Sequence, residues 1–465
     1  MRRFSILLAA AALFSAVVGC QKESGADADT SAAKVYVEFT VNFDNGLTKA
    51  DVNSGDVAVG TTEEHAVKYA YLYFFDATSG EFVKTVDIAA ADITSAVQSD
   101  QIVKKTTIPT KLNPGSYTVY ATLNYKAELD ENATKAKFEA LVYEHNYADF
   151  DLENNGIPMS SRDADGVLSQ NVTVSASNTF DNPVPIQLYM ERMLAKHSVK
   201  TSSASYTISD LATVTLTGYK MVNLTKNAYL FRHVGADASN TSFGSLTGSN
   251  YVIEPETGLK TDGTNLDQLT LYCGINGTDQ YTAMPSVGVV SEAVYSTENT
   301  MLQAAEKMGY ATAYSFSAAI TPVAAKYHGE NGAGYAKEGD LWYFGGDFYP
   351  TLAALNAAKD MSLSSKATDP NYYARFGVKY FQKGVCYYNY FIRHFDNNKS
   401  QELGVMEYAV VRNNDYQVTI TGIDALGDDT PGADVTEDIE LKASYFQATL
   451  LVRPWVVREQ QAVLG

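Results

Sequence analysis

Short runs of alternating apolar and polar residues, separated by Gly, Asn, Asp and Ser turns, limit this chain to a narrow set of folds. The run Val35–Phe43 alternates without a fault and stops at Asp44-Asn45-Gly46. This period of two is typical of a half-buried strand. Helical patterns are few, so the sequence predicts an all-β protein with minor α, built from Greek-key β-sandwich domains. Further strands are predicted over 69–75, 116–123, 172–174, 212–216 and 417–423, and helices over 135–143, 299–308 and 352–359.

The last predicted strand, over residues 445–458, lies almost at the C-terminus. Gln447, Thr449 and Arg453 fall mostly on its polar face. A proline on the apolar face cannot donate to a ladder, which indicates an edge strand or a strand added to an edge from outside. It could therefore complete its own domain or pair with a neighbouring molecule. The apolar face and the aromatic residue beside it comprise Phe446, Ala448, Leu450, Val452, Pro454, Trp455 and Val456.

The N-terminus predicts export and lipid attachment. Arg2 and Arg3 precede an apolar run, 4–18, that is too short for a permanent transmembrane helix. Val17-Val18-Gly19-Cys20 then resembles a bacterial lipobox, with small residues before the cut and a thiol to carry the lipid. Residues 1–19 are thus read as a lipoprotein signal peptide and Cys20 as the lipidation site at the outer membrane. The alternative is an ordinary secretory signal with a chance cysteine.

Composition excludes some partners and indicates more than one domain. The chain of 465 residues has 35 Lys and Arg against 54 Asp and Glu, a net charge of −19. This balance repels nucleic acid and anionic membrane surfaces. A mature chain of this length suggests two or three domains, and a boundary near Tyr189 gives domains over 50–189 and 190–465. Cys273 and Cys386 are read as separate buried residues, with one disulfide as the alternative.

Residues suited to conventional chemistry are sparse. The six histidines are scattered, and none has a metal-ligand spacing such as His-Glu-x-x-His. Asp163-Ala-Asp165-Gly166 opens like a calcium loop but lacks the downstream glutamate. His394-Phe-Asp396 is interpreted as a solvated turn. The sequence therefore predicts a protein that is not an enzyme, with no catalytic residues, no metal and no cofactor.

Several motifs resemble the fimbrillins of Bacteroidales-type (type V) pili, with the strongest likeness to structural subunits of short, Mfa-type fimbriae. The likeness is most specific over residues 380–458, where the Val-Val-Arg-Asn-Asn run and the Pro-Trp strand occur together. It extends to the first half through Glu191-Arg192 and Ala195. The motifs that carry it are Cys386–Tyr390, Tyr408–Tyr416, Val418–Ile423, Val452–Trp455 and Ile157–Ser160.

This resemblance implies two transthyretin-like β-sandwich domains and assembly by strand exchange. A surface trypsin-like protease would cut at Lys49-Ala50, so that residues 20–49 are a propeptide with a removable first strand. The donor strand would be 445–458. Short-fimbria relatives carry arginine at the cut, so Lys49 implies a lysine-cutting or dual-specificity enzyme. The strand to be displaced carries Val35, Val37, Phe39, Val41 and Phe43 on its apolar face.

The expected protein is therefore a cell-surface fimbrium subunit that polymerises with itself and with accessory subunits. Adhesion to host or bacterial surface receptors, biofilm formation and virulence are the implied outcomes, with palmitate as the lipid on Cys20. Two alternatives stay open. One is a fimbrial accessory or anchor subunit. The other is a surface glycan-binding lipoprotein that stacks sugars on Trp342-Tyr343-Phe344 and Tyr387-Tyr388.

Overall fold

The computed structural model describes residues 34–43, 58–98, 101–163, 165–366, 369, 371–399, 401–441 and 446–456. The strands up to Arg192 are β1 (Lys34–Phe43), β2 (Ala58–Val59), β3 (Tyr69–Asp76), β4 (Phe82–Ala89), β5 (Thr94–Gln98), β6 (Gln101–Lys111), β7 (Gly115–Leu123), β8 (Val142–Glu144), β9 (Met159–Ser161), β10 (Gln170–Val174) and β11 (Val184–Arg192).

The strands that follow are β12 (Ala195–Thr201), β13 (Ser205–Ile208), β14 (Ala212–Val222), β15 (Leu224–Thr225), β16 (Asn227–Tyr229), β17 (His233–Gly235), β18 (Thr241–Ser242), β19 (Tyr251–Ile253), β20 (Leu271–Cys273), β21 (Thr282–Ala283), β22 (Val294–Ser296), β23 (Ala313–Pro322), β24 (Leu341–Phe344), β25 (Asp347–Tyr349), β26 (Lys379–Phe381), β27 (Val385–Phe391), β28 (Asn414–Ile423) and β29 (Phe446–Val456). The α-helices are α1 (Lys135–Glu139), α2 (Leu152–Asn155) and α3 (Leu352–Lys359). Strands dominate the described residues, which confirms the all-β prediction.

A nine-stranded sheet forms the first half of the described chain. Its order is β4-β3-β7-β9-β11-β1-β6-β5, and β10 pairs with β7. One face packs on a core in which aromatic rings from distant segments meet. Phe138 of α1 lies 5.3 Å from Phe75 and 5.3 Å from Phe231, measured between ring centroids. Rings of this size bury much apolar area, so this cluster fixes α1 against the sheet.

Two further sheets share a second core. Their orders are β2-β29-β28-β12-β22 and β13-β14-β23-β27, and β21 also pairs with β14. Val199 and Ile420 of the first sheet belong to the same buried cluster as Val214 and Phe316 of the second. The alternation of apolar residues along β14 and β28 places one face of each strand in this core. The two sheets therefore pack face to face.

A small subdomain is inserted between β23 and β27, which are themselves antiparallel neighbours. It contains α3 and a three-stranded sheet in the order β25-β24-β26. The side chain of Thr351 caps α3 by accepting a hydrogen bond from the Ala354 N–H at 3.1 Å. The predicted helix over 352–359 is thus confirmed, and Leu355 is its buried anchor.

The chain changes sheet between Arg192 of β11 and Ala195 of β12, shortly after the predicted boundary near Tyr189. Residues after this change of sheet still contact the first half of the chain. β16 pairs with β8, and Leu230 and Phe231 are buried in the first core. The division into domains over 50–189 and 190–465 stays a prediction.

Two helix predictions differ from the structure. The predicted helix over 135–143 is shortened to α1 and followed by β8. The helix predicted over 299–308 is wrong, because this segment has one turn of 3-10 helix, Gln303–Ala305. Its backbone is held by Asn299, a buried residue whose amide donates to the carbonyls of Asn223 and Tyr310 at 2.8 and 2.7 Å. Among the described residues, none of the helices has the length and apolar character needed to cross a bilayer.

Candidate functional site: an interior strand and an edge strand

The first strand, β1, lies inside the nine-stranded sheet. It pairs in parallel with β11, from Val37↔Val184 to Phe43↔Met190, and antiparallel with β6, from Lys34↔Lys111 to Asn42↔Val103. Its apolar side chains are at most 4% exposed. These are Val35, Val37, Phe39, Val41 and Phe43, so the predicted apolar face of this strand is confirmed as a buried face.

The removal of β1 would have two physical consequences. β6 and β11 would each lose a hydrogen-bonding partner and become unpaired edges, which readily accept another strand. The core would lose five apolar side chains worth about 1.5 to 3 kcal/mol each. An extended strand with apolar residues at every second position is the chemical match for such a slot. Lys49 and Ala50, the predicted cut, lie outside the described residues, so the cut stays a prediction.

The outer face of β1 is anchored more weakly than its buried face. Glu38 forms a salt bridge of 2.8 Å with Lys105, whose side chain is 49% exposed. Tyr36 meets Phe180 edge-on at 5.8 Å between ring centroids. Exposed ion pairs contribute at most about 1 kcal/mol. The buried face and the two ladders therefore hold most of the strand.

The C-terminal strand, β29, lies near the edge of its sheet, as its proline predicts. It pairs antiparallel with β28 from Phe446↔Ile423 to Pro454↔Asn414. On the other side, within the part of the chain that the structure describes, it meets only the two residues of β2, through Ala58↔Trp455 and Val59↔Val456. The predicted donor strand thus completes the sheet of its own second half in this structure. Its role as a donor stays a prediction.

The apolar face of β29 is covered unevenly. Phe446 is buried and packs on Phe316 and Tyr388, with 5.0 and 5.3 Å between ring centroids. The next apolar side chains, Ala448, Leu450 and Val452, are only partly buried against the second core. The side chains of Pro454, Trp455 and Val456 lie outside the described part of the chain, so their predicted place on the donor strand stays a prediction.

A groove explains this partial burial. It has a volume of about 960 Å³ and runs between β27, an edge strand of its sheet, and β29, which is next to the edge strand β2 in the facing sheet. Tyr388, Tyr390, Phe446 and Leu450 contribute its apolar lining. The second sandwich is therefore open along β29. An open side leaves this strand with less buried area to hold it than β1 has.

A row of alternating charges crosses the strands next to β29. Arg453 of β29 lies opposite Asp415 of β28 and pairs with it at 2.5 Å, and Lys196 of β12 is the register partner of Asp415. Lys196 then pairs with Glu64 at 2.7 Å. Tyr295 donates to the same carboxylate at 2.6 Å.

The two carboxyl groups of this row respond differently to burial. Burial raises the pKa of Asp415, and the attraction of Arg453 offsets only part of that effect. Burial acts in the same direction on Glu64, but the charge and hydrogen bond of Lys196 outweigh it and hold the pKa of Glu64 below its usual value. Glu64 is therefore ionised at neutral pH and attracts Lys196 strongly.

The motif residues Glu191-Arg192 and Arg412-Asn413 meet where the chain changes sheet. The guanidinium of Arg192 donates to the Glu64 carbonyl at 3.3 Å and to the Asn413 amide oxygen at 3.4 Å. Arg412 donates to the carbonyl of Tyr229 at 2.6 Å and pairs with Glu298 at 2.8 Å. These residues join the two halves of the chain, which is a structural reason for a motif split between distant segments.

Two family models match the chain. The model described as "Major fimbrial subunit protein (FimA)" matches residues 35–207, and the one described as "Major fimbrial subunit protein type IV, Fimbrillin, C-terminal" matches residues 379–461. The first match begins in β1 and the second includes β29, and together they span more than half of the chain. The chain belongs to the major fimbrial subunit, or fimbrillin, family.

Solved bacterial structures are similar to this fimbrillin at low sequence identity. A candidate cell adhesion protein from Parabacteroides distasonis is 11% identical, with a TM-score of 0.42 over 92% of this chain and 99% of that one. A candidate cell adhesion protein from Bacteroides eggerthii is 11% identical, with a TM-score of 0.43 over 92% and 98%. The C-terminally truncated tip fimbrial protein Mfa3 from Porphyromonas gingivalis is 13% identical, with a TM-score of 0.37 over 90% and 100%. Comparison with curated protein sequences gives no match.

Membership gives this fimbrillin a structural role at cell-surface fimbriae, and the family resemblance made from the sequence is confirmed. Fimbrial subunits assemble with copies of themselves and with accessory subunits, and they are structural proteins rather than enzymes.

Among the described residues, no cluster of three His, Cys, Asp or Glu side chains could hold a metal ion. Asp163 uses its carboxylate to accept the N–H groups of Asp165 and Val167 at 3.0 and 2.8 Å.

The structure also tests the predictions for the two cysteines and for His394. Cys273 and Cys386 are both buried and free, which confirms the prediction of separate cysteines, and burial raises the pKa of each thiol to about 11. The prediction of a solvated turn at His394 is wrong. His394 is buried and shares a hydrogen bond of 2.7 Å with the hydroxyl of Tyr416.

Buried histidines make the stability of this fimbrillin sensitive to acid. Burial lowers the pKa of His197 to about 3 and that of His394 to about 4. The unfolded chain binds protons at these sites below about pH 6.5, and the folded chain does not. Stability should therefore fall as pH drops from about 6.5 towards 4, by about 1.4 kcal/mol per pH unit for each histidine. Glu306 has the opposite effect on stability: burial raises its pKa to about 8, so the folded chain binds this proton more tightly than the unfolded chain and gains stability as pH drops.

Comparison of wild type with His197→Asn isolates one histidine from the other titrating groups. Between pH 6.5 and 5, the wild type should lose about 2 kcal/mol more unfolding free energy than the variant. Urea denaturation of the purified monomer at the two pH values measures both losses. Equal losses in the two proteins would show that His197 binds a proton as well in the folded chain as in the unfolded chain.

Proposed function

We propose that this chain is the structural subunit of a fimbrium, exported as a lipoprotein precursor and polymerised by strand exchange after proteolysis. Residues 1–19 are the signal peptide, Cys20 receives the lipid, and residues 20–49 leave with β1 when the chain is cut at Lys49-Ala50. The slot of β1 in the N-terminal domain, 50–189, then accepts the strand at 445–458 of the C-terminal domain, 190–465, of the next subunit. Adhesion and biofilm formation follow from the filament.

The interior position of β1 is the observation that carries this proposal. A strand at a sheet edge could leave without creating a slot, whereas β1 has ladder partners on both sides and five buried apolar side chains. Departure of such a strand after the cut leaves a folded domain with a deep, apolar vacancy. Polymerisation supplies a strand to that vacancy, so filament growth is favourable only after the cut.

The differing attachment of the two strands supports a transfer of β29. β29 is only partly covered by its own sandwich along the groove, and Leu450 and Val452 have apolar area left to bury. In the slot of β1, the apolar side chains at every second position of β1 are at most 4% exposed. Each further buried side chain contributes roughly 1.5 to 3 kcal/mol at most, so the transfer increases burial.

The alternatives of an anchor subunit and a glycan-binding lipoprotein have less support. An anchor would keep its lipid-bearing N-terminus and its β1, whereas the donor strand and the proposed cut site favour a shaft subunit. For sugar stacking, the ring of Trp342 is already stacked on Tyr380 at 4.4 Å and met edge-on by Tyr373 at 4.9 Å. Tyr388 is buried. Rings that pack on one another are the usual interior of a β-rich subdomain.

N-terminal sequencing of filaments sheared from cells tests the proposal directly. We expect filament subunits that begin at Ala50, and unpolymerised precursor that begins at the lipidated Cys20. Filaments whose subunits begin at Cys20 would exclude removal of β1 and would favour an anchored lipoprotein. Mass spectrometry of the intact subunit provides the matched measurement, since the two products differ by residues 20–49.

A further inference from the structure

The first described residues after the proposed cut contact the C-terminal strand. β2 begins at Ala58 and pairs with Trp455 and Val456 at the end of β29. Ala58 is buried. The pairing is only two residues long, so its ladder hydrogen bonds are few and easily lost. β2 nevertheless covers the one part of the outer edge of β29 that has a strand partner in the described chain.

The turn that follows β2 adds a charged link to the same strand. Glu64 belongs to the short 3-10 helix Glu63–His65 and is 1% exposed. It pairs with Lys196, the register partner of Asp415, and Asp415 pairs with Arg453 of β29. The charges therefore alternate from the segment after the cut, across β12 and β28, to the donor strand. The side chains of Glu64 and Asp415 are 1% and 4% exposed, so solvent screens this row weakly.

The proposed cut changes how this segment is tethered. Before the cut, residues 58–65 lie between β1, which is fixed in the first sheet up to Phe43, and β3, which begins at Tyr69. After the cut, the same residues follow a free chain end. A free end frays more readily than a segment anchored on both sides, because separation from β29 then gains more conformational entropy.

We propose that residues 58–65 are a clasp that holds β29 on its own domain until the chain is cut upstream of them. This inference rests on the proposed strand exchange and adds its control. One cleavage then allows β1 to leave the acceptor slot in the first sheet and loosens the donor in the second. A precursor that keeps its clasp presents neither a slot nor a free strand, which prevents assembly before export is complete.

Hydrogen exchange on the monomeric precursor, from which only the signal peptide is absent, tests the clasp without any need for filaments. The variant is Glu64→Gln, and the matched control is Glu63→Gln, because Glu63 is the exposed neighbour in the same turn. Exchange in residues 446–456 should accelerate about tenfold in Glu64→Gln and stay unchanged in the control. Exchange in β1 should stay unchanged in both variants.

Two results would overturn the clasp. One is equal exchange of residues 446–456 in both variants. The other is acceleration of β12 and β28 to the same extent as β29, which would make Glu64 a general support of the second sandwich.

A second measurement uses the cut itself. A recognition site for a sequence-specific protease, placed within residues 46–52, allows the precursor to be cut on demand. The cut should accelerate exchange in residues 446–456 before β1 dissociates, and unchanged exchange there would contradict the clasp. Size-exclusion chromatography of the same sample follows polymerisation separately. A loosened β29 without polymers would retain the clasp and contradict strand exchange, so the two failures are distinguishable.

Discussion

Replacement of Lys49 by alanine should give a precursor that folds, retains β1 and forms no filaments. β1 would remain covalently attached in an interior position where five side chains are buried. Its displacement by another strand would then require loss of both ladders and on the order of 10 kcal/mol of apolar burial. An incoming strand on a separate molecule cannot compete with a strand that is always present at its own slot.

Gel mobility and electron microscopy of the same cells measure this result. The variant should accumulate as a species that retains residues 20–49, and filaments should be absent. Lys68→Ala is the matched control, because it removes another lysine close in sequence and leaves the proposed cut intact. Filaments of normal length in Lys49→Ala would place the maturation cut elsewhere or show that no cut is needed.

Strand positions were largely predictable, because alternation is a local property of the sequence. The predicted strand Val35–Phe43 becomes β1 with one extra residue, and the segment 417–423 forms the end of β28. The lateral order of the strands in a sheet does not follow from alternation. Alternation assigns Phe39 to a buried face but does not specify whether β1 lies inside the sheet or at its edge, and that choice decides whether its removal makes a slot.

Buried polar groups were the main source of error. Asn299 begins a segment with a helical pattern, but its amide is committed to three buried acceptors, including the Thr312 hydroxyl at 2.9 Å, and these fix an irregular backbone. The sequence predicted a solvated turn at His394-Phe-Asp396, yet the Tyr416 hydroxyl provides His394 with a buried partner. Local sequence carries no record of such distant partners.

The charged row beside β29 could not be predicted from the sequence, because its members are also distant from one another along the chain. Glu64, Lys196, Asp415 and Arg453 come from four segments spread over almost the whole chain. A single-sequence pattern reports apolar periodicity, whereas this row depends on the registers of β12, β28 and β29 together. The resemblance named Arg412 and Asn413 but gave no reason for them, and the structure provides one at the change of sheet.

The substitution Leu450→Asp should block assembly while leaving the monomer folded. Leu450 lies on the apolar face of β29 and is only partly buried, because it borders the open groove. In the monomer the new carboxylate can therefore reach water, so the loss of unfolding free energy should be about 1 kcal/mol. In the closed slot of β1 the same carboxylate would be buried without a partner, which costs several kcal/mol.

Leu451→Asp is the matched control, since it places the same charge one residue away on the opposite face of the strand. Deletion of residues 445–465 is a coarser test, because it also removes Phe446 from the second core. The comparison requires the melting temperature of each monomer beside its filament yield. Loss of filaments in Leu450→Asp, with a nearly unchanged melting temperature and with filaments retained in Leu451→Asp, would support exchange. If Leu450→Asp instead unfolds the monomer as severely as it blocks assembly, β29 belongs to its own domain and the exchange proposed for this end is wrong.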